Sequence, residues 1–443
     1  MRVSVIGIGY VGTVTAAGLA EIGNEVTCAD LDPLKVDAVN RGKPLIHEEG
    51  IEELVSRHSG GRLRAMGDTS AAVAATNVTI ITVDTPFDGQ RIDLRSIERV
   101  AEAVGRALRD KREYHVVVVK STVVPGTTDS VVLPILERES GKKAGPDFGV
   151  GMNPEFLREG SAVADFMDPD RIVLGGIDER SLTTMAEVYR GFDGVEVVMT
   201  TPRTAEMIKY TSNSLLATLI SFSNEIANLA SEVGVDSSDV MRGLHLDRRL
   251  SPVMGDGTRV RPGILSYIEP GCGFGGSCFP KDVKALTAFG TESGSPMKIL
   301  DAVMDVNESQ PERMVDLLKR QITSLNGARV VVLGAAFKPG TDDVRESPGI
   351  KIAEMLLAEG AEVTLVDPVA NGMAEARLGD KVTYAESIDG AAVHPDAYLL
   401  VTAWPQFADL ARIIGDREVQ PVVVDGRRFL ERGDFTRYEA IGL

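Results

Sequence analysis

The sequence predicts an α/β protein with two doubly wound, Rossmann-like domains joined by a long central helix and a helical connector domain. Three observations predict it. Short β-branched strands alternate with helical segments up to residue 200, the alternation gives way to helical spacing at Pro202, and it resumes at Arg329. Strand–helix alternation is the pattern of a mainly parallel sheet with helices on both faces. At 443 residues the chain is also too long for one ordinary core. Divisions are expected at 1–200, 201–325 and 326–443.

In chain order, Val3–Ile6 is the first strand and Val11–Ile22 has helical apolar spacing. Glu25–Ala29 is a strand ending at Asp30, and further strands fall at Val78–Val83, Val116–Lys120 and Val195–Met199. Pro202–Val233 is one helix: proline suits its first turn, Leu215, Leu216, Leu219, Phe222, Ile226 and Leu229 recur at helical spacing, and Gly234 ends it. Ser237–Gly243 is a further helix. A loop rich in Gly and Pro (Ser251–Gly276) precedes helical segments at Pro280–Gly290 and Met297–Leu325. Strands return at Arg329–Leu333, Glu362–Val366, Ala397–Thr402 and Val422–Val424, an echo of the first section.

Composition narrows the functional classes. Hydrophobic residues at 43% and charged residues at 25% fit a globular protein. A net charge of −18 argues against a nucleic-acid partner, since neutralising phosphates needs a basic face. Apolar runs such as 115–119 and 328–333 are far shorter than the roughly 18–20 residues of a membrane span, so no membrane partner is expected. MRVSVIG is already a strand, which leaves no room before it for a secretory signal. Cys28, Cys272 and Cys278 are too few and too irregular for a disulfide framework or a zinc site, so no metal is expected and the compartment is the reducing cytoplasm.

Gly7-Ile8-Gly9-Tyr10-Val11-Gly12 is a GxGxxG that follows a strand and opens a helix. Its glycines permit a tight turn and close approach by a pyrophosphate, which the helix N-terminus stabilises. Asp30 closes the next strand at the spacing of a ribose-binding acid. A carboxylate there accepts from a ribose 2′-hydroxyl and repels a 2′-phosphate, so NAD is favoured over NADP. The second glycine turn, Ala328–Lys338, lacks the second glycine, and Phe337 would obstruct a pyrophosphate laid on it. Lys338, Arg345, Arg427 and Arg428 fall near strand ends in that section, where a second phosphate ligand or plain solvation would account for them.

The segment Gly271-Cys-Gly-Phe-Gly-Gly-Ser-Cys278-Phe-Pro-Lys-Asp282 carries the chemistry. Four glycines imply that something approaches closely. Pro280 fits the first turn of a helix, placing Cys278 just before its N-terminus, where the helix dipole and Lys281 favour thiolate. Asp282 lies in the first turn as a cap or a base. Cys272 and Cys28 have no such setting and are expected to be structural. Lys209 and Asn213, spaced i,i+4 on the long helix, suit oxyanion stabilisation or else a solvated face. Glu155 and Glu159 form another i,i+4 pair.

The chain resembles the UDP-glucose/GDP-mannose 6-dehydrogenase family along essentially its whole length. The signatures are VIGIGYVG (5–12), KSTVVPGTT (120–128), NPEFLREG (153–160), KYTSN (209–213), GFGGSCFPKD (273–282) and FKPGTDDVRESP (337–348). The resemblance implies a four-electron oxidation of a nucleotide sugar by two NAD molecules in succession. It makes Cys278 the nucleophile that captures the C6 aldehyde, Lys209 and Asn213 the oxyanion-stabilising pair, and Asp282 the carboxylate that deprotonates alcohol or water. Thr122 and Glu155 are implicated in ordering water. On the cofactor side it implies Gly7, Gly9, Tyr10, Val11, Gly12, Asp30, Lys35, Thr85, Thr122, Glu159 and Arg345. On the substrate side it implies Glu155, Phe156, Leu157, Lys209, Asn213, Tyr267, Gly275, Phe337, Lys338 and Arg427. Arg249 is implied as a substrate contact contributed across a dimer interface. A homodimer or higher homo-oligomer is also expected from the apolar stripe of the long helix. Arg248–Ser266 is longer and richer in Gly and Pro than the family pattern, which leaves the sugar nucleotide open. UDP-glucose, the commonest substrate, is the first expectation; GDP-mannose, towards which 140–159 and EMIKYTSN lean, is the second, and other nucleotide hexoses follow. A two-electron hydroxyacid dehydrogenase would need neither Cys278 nor a second α/β domain. A silent NAD-binding sensor would be expected to lose one of Cys278, Lys209, Asn213 or Asp282.

Overall fold

The computed structural model describes residues 1–391, 394–415 and 419–443. The chain divides into two compact units, Met1–Ser212 and Asn213–Leu443.

Eight strands make the sheet of the first unit: β1 (Arg2–Ile6), β2 (Glu25–Ala29), β3 (Leu63–Met66), β4 (Val78–Ile81), β5 (Val116–Val119), β6 (Gly149–Met152), β7 (Ile172–Gly176) and β8 (Val197–Thr200). Their spatial order is 3-2-1-4-5-6-7-8. Pairing is parallel except between β6 and β7. The order reverses between β1 and β4, the switch point at which doubly wound sheets bind ligands. Strands β4 and β5 are buried throughout, as a sheet covered on both faces requires. Helix α1 (Tyr10–Glu21) follows β1 directly.

Strands β3, β6 and β7 were not expected. Gly149, Gly151, Gly175 and Gly176 give β6 and β7 the look of loops. The glycines are there because helices lie directly on those strands. A Cβ on Gly151 would stand 2.3 Å from Met185 Sδ, and one on Gly175 would stand 2.6 Å from the Thr201 carbonyl oxygen.

Helix α2 (Pro202–Glu232) runs without a break for 31 residues, starting at the expected proline. In the first unit its second turn holds a loop in place. Glu206, fully buried, accepts hydrogen bonds from the amides of Gly126 (2.6 Å) and Thr128 (2.8 Å). Burial pushes the Glu206 carboxyl up to about 7, and the charge of Asp129 adds to this while the hydrogen bonds from 126–128 oppose it. The folded state therefore holds this proton more tightly than the unfolded chain, whose glutamate ionises near 4.5. The group's contribution to stability is full below about 4.5 and is lost as pH rises through about 7. Glu206→Gln cannot ionise, so its stability relative to the parent should improve by about 2–3 kcal/mol between pH 5 and pH 8. Urea midpoints of both proteins at the two pH values measure this; an unchanged difference would contradict it.

The second unit continues α2 and adds α3 (Phe279–Glu292) and α4 (Lys298–Gln321). Its sheet contains β9 (Arg329–Leu333), β10 (Glu362–Val366), β11 (Thr383–Ala385), β12 (Ala397–Leu400), β13 (Val422–Asp425) and β14 (Tyr438–Ala440). The order is 11-10-9-12-13-14 and every pairing is parallel. Counted from its own first strand this is again 3-2-1-4-5-6, so the coarse echo in the sequence is a repeated topology. Strands β11 and β14 are only three residues long, too short for a periodicity to show. Ser237, opening the helix Ser237–His245, donates its amide to the Gly442 carbonyl at 2.8 Å, which ties the last residues of the chain to the start of the unit.

Candidate active site

At the glycine turn Gly7 has φ +104°, a left-handed conformation that favours glycine. A Cβ on Gly12 would lie 1.9 Å from the Gly7 carbonyl oxygen, whereas one on Gly9 would meet nothing within 4 Å. The turn is thus packed underneath and open above. Helix α1 has Gly9 at its N-cap, no side-chain cap and no acidic residue in its first turn. Its free amide donors and the positive end of its dipole suit a pyrophosphate. Asp30 ends β2 as expected and also braces the turn: its carboxylate accepts from the amides of Ile8 (2.6 Å) and Asp32 (2.9 Å), with Lys35 Nζ 4.0 Å away. The residues present therefore fit a dinucleotide with a free ribose 2′-hydroxyl.

Tyr10, beside half-buried Val11, turns its hydroxyl to Glu48, a residue that no motif or spacing singles out. Glu48 also accepts from the amides of Gly160 and Ala162, both at 2.7 Å. Burial, the hydrogen bond to Glu48, and the charges of Glu48 and Glu159 hold the Tyr10 phenol far above its ordinary range. The loops after β1, β4 and β5 are linked to one another. Thr82 Oγ1 donates to the Gly7 carbonyl (2.9 Å), Ser121 Oγ to that of Val83 (2.6 Å), and Thr85 Oγ1 to that of Thr122 (2.7 Å).

Beyond β6 the structure corrects one expectation. Residues 153–158 are not helical, so Glu155 and Glu159 share no helix face. Glu155 is buried and bonds Lys209 Nζ at 2.9 Å, while its other oxygen accepts the Leu157 amide at 2.6 Å. Lys209 is only 3% exposed, so it does not lie on a solvated face. Burial works to raise the Glu155 carboxyl, but Lys209, the Leu157 amide and Lys120 together hold it below its usual range. The Phe156 ring lies 5.5 Å from Lys209 Nζ and packs under the Arg171 guanidinium at 4.1 Å. A second buried lysine completes the cluster. Lys120 donates to Asn153 Oδ1 at 2.9 Å, and the Tyr189 hydroxyl bonds the same oxygen. Burial pushes Lys120 down to about 8, with Lys209 adding and Glu155 opposing. Lys120 and Asn153 sit inside two of the signatures above, yet only tertiary structure places them together.

In the second unit Cys278 is the N-cap of α3, with Pro280 in the first turn and the Asp282 amide bonded to the Cys278 carbonyl at 2.8 Å. Cys278 is partly exposed, whereas Cys28 and Cys272 are buried in the cores. Burial pushes the Cys28 thiol up to about 12, with Asp30 adding, and burial also raises Cys272. Both are poor nucleophiles for that reason. Ser277 Oγ lies 3.5 Å from the Cys278 sulfur. The carboxylate of Asp282, 1% exposed, accepts from Asn213 Nδ2 at 2.7 Å and from Lys281 Nζ at 2.5 Å. Lys281 thus bonds the carboxylate, and the N-cap of α3 has no side-chain cap.

The partner that approaches the glycines of the cysteine loop is the chain itself. A Cβ on Gly275 would lie 2.4 Å from the Glu346 carbonyl oxygen, and one on Gly276 would touch the Phe337 ring at 2.9 Å. Phe337 thus packs on this loop, with Lys338 Nζ 5.7 Å from its ring. The Gly276 amide bonds the Arg345 carbonyl (2.8 Å), and the Arg345 guanidinium forms a fork with Asp343. Arg427 donates to the carbonyls of Val401 (2.7 Å) and Gly273 (3.3 Å), which brings it to the loop as well. Arg428 instead pairs with Asp236. Tyr267 lies 6.3 Å from Phe279 at the start of α3. Arg249 is exposed and paired with Asp247, whose carboxyl it holds down to about 2.

Sequence models of one family match three consecutive stretches. These are the NAD binding domain of the UDP-glucose/GDP-mannose dehydrogenase family over residues 1–193, its central domain over 203–309 and its UDP binding domain over 331–432. The chain belongs to that family. A UDP-glucose 6-dehydrogenase of Haloferax volcanii is 42% identical, with 100% of both chains covered. A GDP-mannose 6-dehydrogenase of Pseudomonas aeruginosa is 43% identical over 83% of this chain and 81% of its own. The solved structure of a UDP-glucose dehydrogenase from Pyrobaculum islandicum superposes with a TM-score of 0.90 at 43% identity, covering 100% of this chain and 97% of that one. As a family member the chain is an NAD-dependent nucleotide-sugar dehydrogenase. Among the described residues no helix is long and apolar enough to cross a membrane.

Proposed function

We propose that this dehydrogenase oxidises the C6 alcohol of UDP-glucose to the carboxylate through a covalent thioester on Cys278. The observation that carries the mechanism is the placement of Cys278 at the N-terminus of α3, one turn before a buried Asp282 held by Asn213. Full-length likeness to a UDP-glucose 6-dehydrogenase and the UDP binding domain support the substrate. GDP-mannose stands second on the 43% identity to a GDP-mannose enzyme.

The Gly7–Gly12 turn and Asp30 would hold NAD, which would supply the two-electron hydride acceptor for each of two oxidations. The sum is R–CH2OH + 2 NAD+ + H2O → R–COO− + 2 NADH + 3 H+. Asp282 takes the alcohol proton, leaving an aldehyde after the first oxidation. The Cys278 thiolate adds to that carbonyl, forming a C–S bond and an oxyanion that Lys209 and Asn213 stabilise. The second oxidation leaves the thioester, which water ordered by Thr122 and Glu155 hydrolyses, breaking the C–S bond and returning the thiolate.

Lys35, Thr85, Glu159 and Arg345 belong to the cofactor side in this assignment. Phe156, Leu157, Tyr267, Gly275, Phe337, Lys338 and Arg427 belong to the substrate side, and Arg249 serves a neighbouring copy. A homodimer is supported by Leu215, Phe222, Leu229 and Val233, large apolar side chains exposed along or just past α2. The three free cysteines agree with a reducing cytoplasm. We assign the domains as 1–200 for NAD, 201–325 as connector and 326–443 for the nucleotide sugar.

NADH formed per sugar consumed, over UDP-glucose, GDP-mannose, dTDP-glucose and UDP-N-acetyl sugars, tests the proposal. Two NADH with UDP-glucose is the expected result. Two with another sugar alone would reassign the substrate, and one throughout would refute the four-electron mechanism.

A further inference from the structure

The first unit contains an open cleft of about 520 Å³, none of whose lining residues is assigned to this reaction. It is formed where the chain enters β5 and β6. These strands run parallel to β1, so the cleft lies at the sheet edge opposite the glycine turn. Arg109, Lys111, Arg112, Lys142 and Arg180 line it. Two carboxylates, Asp110 and Asp147, line it as well, which leaves three net positive charges on a chain whose overall charge is −18.

Among the described residues none of these five cations is ion-paired; those that are bonded are held by neutral groups. Lys111, 8% exposed, donates to the carbonyls of Val73 (2.9 Å), Ala74 (3.0 Å) and Thr76 (2.6 Å). Lys142 donates to the Lys111 carbonyl, and Arg109 to that of Glu139 at 2.7 Å. Arg180 lies over the Tyr114 ring at 3.4 Å. Such partners fix a cation in place without cancelling its charge. Elsewhere in the same unit Arg95, Arg106, Arg138, Lys143, Arg158 and Arg203 all pair with carboxylates. The cleft therefore keeps three net positive charges beyond those that its own two carboxylates offset, and burial with the like charges of Arg2 and Lys142 already pulls Lys111 down against the pull of Glu113.

We propose that this cleft binds a small molecule carrying two or more phosphate groups, separately from the dehydrogenase site. Guanidinium forks match phosphate oxygens, and a volume within the range of roughly 300–1,000 Å³ holds a whole small molecule rather than one ion. The source is either a nucleoside diphosphate or an inorganic phosphate chain.

The test uses the full-length protein under saturating NAD, so that the glycine turn is filled. Tripolyphosphate and ADP are titrated by calorimetry into the parent and into Arg112→Glu/Arg180→Glu, whose basal NADH production should be unchanged. At least one probe should bind the parent, and bind the variant at least 10-fold more weakly. Tighter binding of ADP identifies a nucleotide, and tighter or equal binding of tripolyphosphate identifies an inorganic chain. Absence of binding to the parent, or equal binding to parent and variant, overturns the proposal. If the double variant does not fold, the single Arg112→Gln at an exposed position decides on the same criterion.

Discussion

Cys278→Ser should fold, bind NAD, and lose at least about 10³-fold in the rate of carboxylate formation. The thiol stands at the N-terminus of α3, where a helix end favours an anion, and a thiolate is a strong nucleophile for an aldehyde. A serine hydroxyl at the same place ionises far above neutral pH. Asp282 and its bond to Asn213 remain in the variant, so alcohol deprotonation keeps its base and the first oxidation can proceed. The expected signature is one NADH per sugar at most, with aldehyde or its hydrate as the product. Carboxylate formed at the parental rate would remove the thioester from the mechanism.

The second large effect is expected at Lys209. Replacing it by Met leaves Glu155 as a buried carboxylate without its 2.9 Å partner. Breaking a buried pair in this way costs about 3–5 kcal/mol of stability. Loss of an oxyanion-stabilising donor should lower kcat by a further factor of roughly 10²–10³. The double variant Lys209→Met/Glu155→Gln removes both charges and so isolates the stability contribution, with Glu155→Gln alone as the reference for kcat because Glu155 orders water in the proposed mechanism. The double variant's melting temperature should return most of the way to the parent while its kcat stays below that of Glu155→Gln. Recovery of kcat to the Glu155→Gln level together with stability would make Lys209 a structural residue only.

Legibility in the sequence followed the range of the physics involved. The glycine turn, Asp30 and the Cys278 N-cap are local arrangements, each settled within a strand, a turn and a helix start, and all were placed correctly. Strands β6 and β7 do not show in the sequence because Gly151 answers to Met185 and Gly175 to residues 201–205, each tens of residues away. Likewise Phe337 reads as an obstacle to pyrophosphate until its contact with Gly276 shows that it fills a gap in the cysteine loop. Glu155 and Lys209 are 54 positions apart, and no spacing rule connects them. Lys281 is close to Cys278 in sequence, and only the structure shows that its side chain also reaches the neighbouring carboxylate.

The bond between Ser237 and Gly442 has a consequence for how the protein is made. Synthesis is vectorial, and domains fold as units while the chain emerges. All eight strands of the first sheet lie within the first 200 residues, so that sheet has its complete complement of strands before the remainder is translated. The second unit has no such freedom. Its edge strand β14 and the carbonyl that receives the Ser237 amide both belong to the last six residues. A nascent chain stalled before Tyr438 would therefore carry a finished first unit and a second unit in which β13 lacks its β14 partner, the kind of unpaired strand that chaperones bind.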